Sequence, residues 1–172
     1  VRAGLLIALT FTIGGCGVPS VRFPRALYAA PPDFAAPDPL RVLTRQVFDK
    51  VNRQRRLHGL HELAWNAAVA AQARLQSSNM MEHGFFSHTD PLRGSLASRL
   101  NGAGIMWSRC AENIFREQGM DEPADEAVEG WMRSPAHRAS ILDPLFTQTG
   151  VGIAISADTE YFITQIFVRP GK

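Results

Sequence analysis

Three side chains in this sequence combine residue types that can do chemistry: His88, Glu112 and His137. His88 stands in Gly84-Phe85-Phe86-Ser87-His88-Thr89-Asp90-Pro91, with aromatics on one side and turn formers on the other. That setting can hold an imidazole at the edge of an apolar pocket. His137 follows Ser134-Pro135, an N-cap and first-turn pair, so it falls in the first turn of a helix. The partial positive charge there disfavours imidazolium and keeps the ring available as a ligand. Glu112 follows Cys110 and Ala111 in an otherwise apolar stretch, where a carboxylate needs a partner that a neighbouring histidine can supply. Two neutral imidazoles and a carboxylate suit a divalent ion such as zinc, with one position left for water. A bound water of lowered pKa could attack an amide or ester, with Glu112 as base. The same groups can instead line a cleft that holds a lipid or peptide, or form a hydrogen-bonded network tying helices to a sheet.

Other candidates are weaker. His58 and His61 flank Gly59, and Glu62 does not complete a helical His-Glu-x-x-His motif, so no metal role is expected of them. His83, just before Gly84, reads as a cation against a helix C-terminus. No Gly-x-Ser-x-Gly elbow is present. Cys110 has only Arg109 as a basic neighbour and reads as a buried apolar residue. These features lean toward binding over bond cleavage.

The elements that must position these groups follow from hydrophobic spacing. Leu40, Leu43, Val47 and Val51, with Phe48 beside them, predict an amphipathic helix over 40–57. Its outer face is read as Arg41, Arg45, Lys50, Arg53, Arg55 and Arg56 against Asp49 alone. Such a run reads as a solvated face in preference to a contact for an anionic membrane or polymer. Residues 60–65 form a short connector. Asn66 is a good N-cap for an alanine-rich helix to about Met81, which can pack closely before Gly84 breaks it. A short helix over 94–101 stops at Gly102 and Gly104, and residues 112–116 are extended. Ala124, Ala127, Val128 and Trp131 share one face of a helix over 123–132, and a last helix runs from Ser134-Pro135 to about Leu142. Residues 150–156 and 161–168 are β-rich runs that predict a hairpin. Helices first and a hairpin last imply an α+β fold in which helices cover a small sheet.

The N-terminus reads as an address. Arg2 precedes an apolar run from Ala3 to Ile13, the length of a signal h-region and too short to span a bilayer. Ile13-Gly14-Gly15-Cys16 resembles a bacterial lipobox, so residues 1–15 are expected to be a cleaved signal and Cys16 the lipidated anchor to a membrane. Six prolines within 17–39 make residues 16–39 an extended spacer, leaving 40–172 as the folded unit. The whole sequence of 172 residues carries 18 basic and 16 acidic side chains, too balanced for a nucleic-acid footprint. Two cysteines cannot build a disulfide scaffold.

Phe86-Ser87-His88-Thr89-Asp90-Pro91, Ala111-Glu112-Asn113-Ile114 and Trp131-Met132-x-Ser134-Pro135-x-His137-Arg138, in this order, resemble the CAP superfamily. This is the cysteine-rich secretory, antigen 5 and pathogenesis-related 1 group, and the match is to its cysteine-poor bacterial branch. Asn52, Arg55, Leu63 and Gly150-Val151-Gly152 fit as well, so the resemblance spans about residues 43–169. It implies a three-layer α-β-α sandwich with a small, mainly antiparallel sheet and a cleft formed by His88, Glu112 and His137. Many members carry a second cleft glutamate three residues after the tryptophan; here that place is Ser134, and Glu129 is the nearest acidic candidate. Lipid binding and proteolysis are both activities the resemblance implies.

Overall fold

Asp38 accepts a hydrogen bond from the Leu40 N–H at 3.0 Å and Pro39 presets the first turn, so α1 runs Pro39–Leu57. The computed structural model describes residues 38–119 and 121–171, so the expected signal and Cys16 lie outside the described residues. The pair Ala64–Trp65 forms β1. Asn66 Oδ1 accepts from the Ala68 and Val69 N–H groups to start α2, Ala67–His83, and Gly84 closes it in the left-handed conformation. The chain continues through α3 (Leu96–Gly102), β2 (Trp107–Gln118), α4 (Pro123–Arg133), α5 (Pro135–Leu142), β3 (Gln148–Ile155) and β4 (Glu160–Pro170).

The four strands lie in the order β1-β3-β4-β2, with β1 parallel to β3 and the other pairs antiparallel. Alternation along β3 and β4 sends Val151, Ile153, Ile163 and Phe167 to one face. There they pack with Val47 and Val51 of α1, Trp131 of α4 and Ile141 of α5. Ile166 and Val168 face the other way, against Val69 and Ala73 of α2 and Leu100 of α3. The result is the expected α+β, three-layer α-β-α architecture, with β2 as an edge strand between the helical layers.

Close approach of α2 to the sheet rests on two glycines. A Cβ at Gly152 would sit 1.9 Å from the Arg74 backbone nitrogen, and one at Gly150 would sit 2.1 Å from that of Ala70. The small side chains of α2 therefore lie directly on bare strand backbone.

Several elements differ from the reading of the sequence. Arg55 is not on the outer face of α1: it is buried, continuing the stripe Leu43-Val47-Val51 at four-residue spacing. Its guanidinium donates to the carbonyls of His61, Ile141, Asp143 and Phe146, stapling the connector after α1 to the loop after α5. The cations that stay outside are largely paired: Arg45 with Asp49, Lys50 with Asp125 and Arg56 with Glu62. The third helix starts at Leu96 because Gly94 has φ +78 and Ser95 Oγ caps from outside. The connector contains β1, too short to show periodicity. The extended piece at 112–116 is part of a twelve-residue strand whose charged residues hide its alternation. Cys110 is half-buried, not fully buried.

Candidate functional site

The site is built around adjacent residues of edge strand β2. Glu112 points to the α2–α3 face and Asn113 to the α4–α5 face, and both are buried. Glu112 Oε1 lies 3.0 Å from His88 Nδ1, and Glu112 Oε2 accepts from Arg99 Nη2 at 2.9 Å. A carboxylate paired with a guanidinium can only accept, so the proton of this contact sits on His88 Nδ1. The His88 side chain is 53% exposed, whereas Arg99 is fully buried. Asn113 Nδ2 donates to the His137 carbonyl at 3.1 Å, fixing the first turn of α5 against the strand. The two imidazoles thus arrive from opposite sides of β2, with ring centroids 6.3 Å apart and planes tilted by 53°.

The loop bearing His88 is held at several points. Gln76 Nε2 donates to the Ser87 carbonyl, and Arg99 Nη2 donates to the carbonyl of His88 itself. Asp90, buried, accepts from Asn79 Nδ2 at 2.6 Å and from the backbone of Leu92 and Arg93. Burial works to raise the Asp90 pKa, but these hydrogen bonds and the Arg93 charge outweigh it and leave it lowered. Backbone bonds between Asp90 and Gly94 close the turn.

His137 has a lowered pKa, first because burial disfavours its charged form and second because His88 lies close. The direction is the one expected from its helix position, but the causes are burial and a neighbouring ring. The Cys110 thiol is pushed up by burial and by the charge of Glu112, which makes it a poor nucleophile. Glu129 is not brought to the cluster: it is 66% exposed on α4 and accepts from Arg133. His58 and His61 lie in the α1–β1 connector, and His58 Nε2 contacts Arg138, the residue after His137.

Zinc needs three protein ligands and an open position, or four ligands. Two imidazoles are present, but both oxygens of Glu112 are engaged, and no group of three His, Cys, Asp or Glu arranged for a metal occurs among the described residues. Of the expected zinc set, His88 and His137 stand close together, while Glu112 is turned to His88 and Arg99. Arg99, Asn79 and Asp90 are site residues whose roles the sequence reading missed. Arg99 had a signal: with Leu96 and Leu100 it lies at i, i+3, i+4 spacing, an arginine within an apolar stripe.

The chain thus presents paired histidines at the sheet edge of a three-layer α-β-α domain, one of them held by a strand glutamate. Residues 48–167 match the model of the cysteine-rich secretory protein family, and the chain belongs to that family. It is 37% identical over 125 residues to the Bacillus subtilis (strain 168) membrane protein YlbC, covering 73% of this chain and 34% of that protein. It is 33% identical over 131 residues to YkwD of the same organism, covering 75% of this chain and 50% of that protein. The chain thus spans half or less of these relatives. Among solved structures, an extracellular SCP-domain protein from Bacillus anthracis aligns with a TM-score of 0.66 at 31% identity, over 78% of this chain and 44% of that one.

Proposed function

We propose that this chain is an extracytoplasmic binding module that takes a lipid, peptide or other envelope ligand beside His88 and His137. The carrying observation is Glu112. With Oε1 on His88 and Oε2 on Arg99, the carboxylate is placed to aim an imidazole. With Nδ1 committed to Glu112, Nε2 is the His88 nitrogen left for a ligand, on a half-exposed side chain, and His137 is biased toward its neutral form. Both rings can accept a hydrogen bond from a ligand N–H or O–H. On the face of α5 that His137 does not share, a groove of about 350 Å³ at the α4–α5 junction is lined by Met132, Arg133, Pro135, Arg138, Ala139 and Leu142. An apolar floor under two cations matches an acyl chain with an acidic head.

Extracellular SCP-domain relatives support placement outside the cytoplasm. No helix among the described residues is long and apolar enough to cross a membrane. A lipid on Cys16 would then be the anchor, with residues 16–39 as the spacer; radiolabelled palmitate incorporated by the wild type and not by Cys16→Ser tests this.

The binding reading is tested on the intact chain purified without denaturant, by mass spectrometry of what is extracted from it. A stoichiometric lipid or peptide, lost in His88→Ala/His137→Ala, is the expected result. Turnover of ester or peptide substrates, abolished by Glu112→Gln, would instead establish a hydrolase. The two convergent imidazoles favour one further reading, a divalent-metal hydrolase at the same residues. Stoichiometric zinc that dissociates on replacing either histidine would support it, and no zinc at micromolar concentration would remove it.

A further inference from the structure

On the α2–α3 side of the sheet, Gln72, Arg93, Ser98, Arg99, Gly102 and Ala103 line an open cavity of about 300 Å³. We infer that this cavity is a binding site for a phosphate-type oxyanion held between Arg93 and Arg99, adjoining the His88–Glu112 pair that Arg99 also supports. Arg99 is fully buried, yet only its Nη2 has acceptors; its Nε and Nη1 have none among the described residues. Arg93 Nη1 is likewise buried without an acceptor, while its Nη2 donates to Gln72. Two neighbouring guanidiniums therefore hold donors that the protein does not satisfy, an expensive arrangement unless something else does.

The nearby carboxylates do not fill the role. Asp90 is taken up by Asn79 and by its own loop, and Glu112 by His88 and by Arg99 Nη2. The two cations also feel each other: burial lowers the Arg93 pKa, Asp90 opposes this, and the Arg99 charge adds to it. An anion between them relieves that repulsion and supplies acceptors. Guanidinium donors suit the several oxygens of a phosphate, and the Ser98 hydroxyl and the Gln72 amide are further donors on the same wall.

Phosphate comes either free or as part of a lipid headgroup, and the test separates the two sources. The intact chain is titrated with inorganic phosphate at constant ionic strength, following amide and arginine side-chain NMR signals. It is also pelleted with vesicles of phosphatidylcholine with or without phosphatidate. The expected result is saturable, one-site phosphate binding that shifts Arg93 and Arg99, weakened at least tenfold in Arg93→Gln and unchanged in Arg53→Gln on the opposite layer. Phosphate-competed binding to phosphatidate vesicles would identify the headgroup as the natural source. Saturable phosphate binding without vesicle association would identify a soluble phosphate compound. No saturation, or saturation equal in Arg93→Gln, overturns the site. Arg93→Gln carries the test because Arg99 also supports Glu112, and its replacement can unfold the protein.

Discussion

Glu112 and Asn113 are consecutive residues of β2 that face opposite sides of the sheet, and each secures one of the two histidines. Glu112 holds the His88 ring on the α2–α3 side, and Asn113 holds the His137 backbone on the α4–α5 side. One dipeptide on an edge strand thus fixes groups from two helical layers. The period of two along a strand is what allows it.

The Arg99–Glu112 pair is wholly buried, so removing one partner strands a charge. Arg99→Leu is expected to destabilise the fold by about 3–5 kcal/mol, and Arg99→Leu/Glu112→Leu to recover part of that loss. Urea unfolding of the three proteins checks this. A double variant less stable than Arg99→Leu would contradict it.

His137 sets a pH dependence of known sign. Its folded pKa is below the ordinary 6.5, so between that value and 6.5 the unfolded state binds more protons. The stability it contributes is complete above 6.5, declines as pH falls toward the folded pKa, and is absent below it. Denaturant midpoints measured from pH 8 to pH 4 (roughly the range where histidine titrates) should fall less steeply in His137→Gln than in wild type.

Gly152→Ala is expected to be among the most damaging single-methyl additions. The new Cβ would meet α2 backbone at Arg74, which cannot move aside as a side-chain tip can. A loss of about 1–3 kcal/mol or more follows from forced displacement of a packed helix. Alanine at Gly102, where nothing lies within 4 Å, should leave the thermal midpoint close to wild type.

Arg55→Lys should fail to replace arginine despite keeping the charge. One ammonium cannot reach the four carbonyls that the planar guanidinium joins. Hydrogen exchange should speed up in the 60–65 connector and in the 143–147 loop, while β4 amides stay protected.

The helices and the hairpin were legible because their spacing is regular. Leu43-Val47-Val51 and Ala124-Ala127-Val128-Trp131 each mark a single buried face. Even Arg55 and Arg99 sat at the next position of an apolar stripe; charge type masked what spacing shows. The meeting of His88 with Glu112 and of Asn113 with His137 spans 24 residues in each case. No local pattern encodes which side of β2 each loop returns to, so only the motif order pointed there. Glu129 fails for the opposite reason. It lies near in sequence, but its helical position turns it to solvent and to Arg133.

The central claim is that Glu112 serves to orient His88 for binding. Nitrogen-15 NMR of the histidine side chains at pH 7.5 (about one unit above the ordinary histidine pKa) tests it most directly. His88 is expected as the Nδ1–H tautomer, reverting to a mixture in Glu112→Gln. A His88 protonated on Nε2 in the wild type, with a spectrum unchanged by Glu112→Gln, would contradict it.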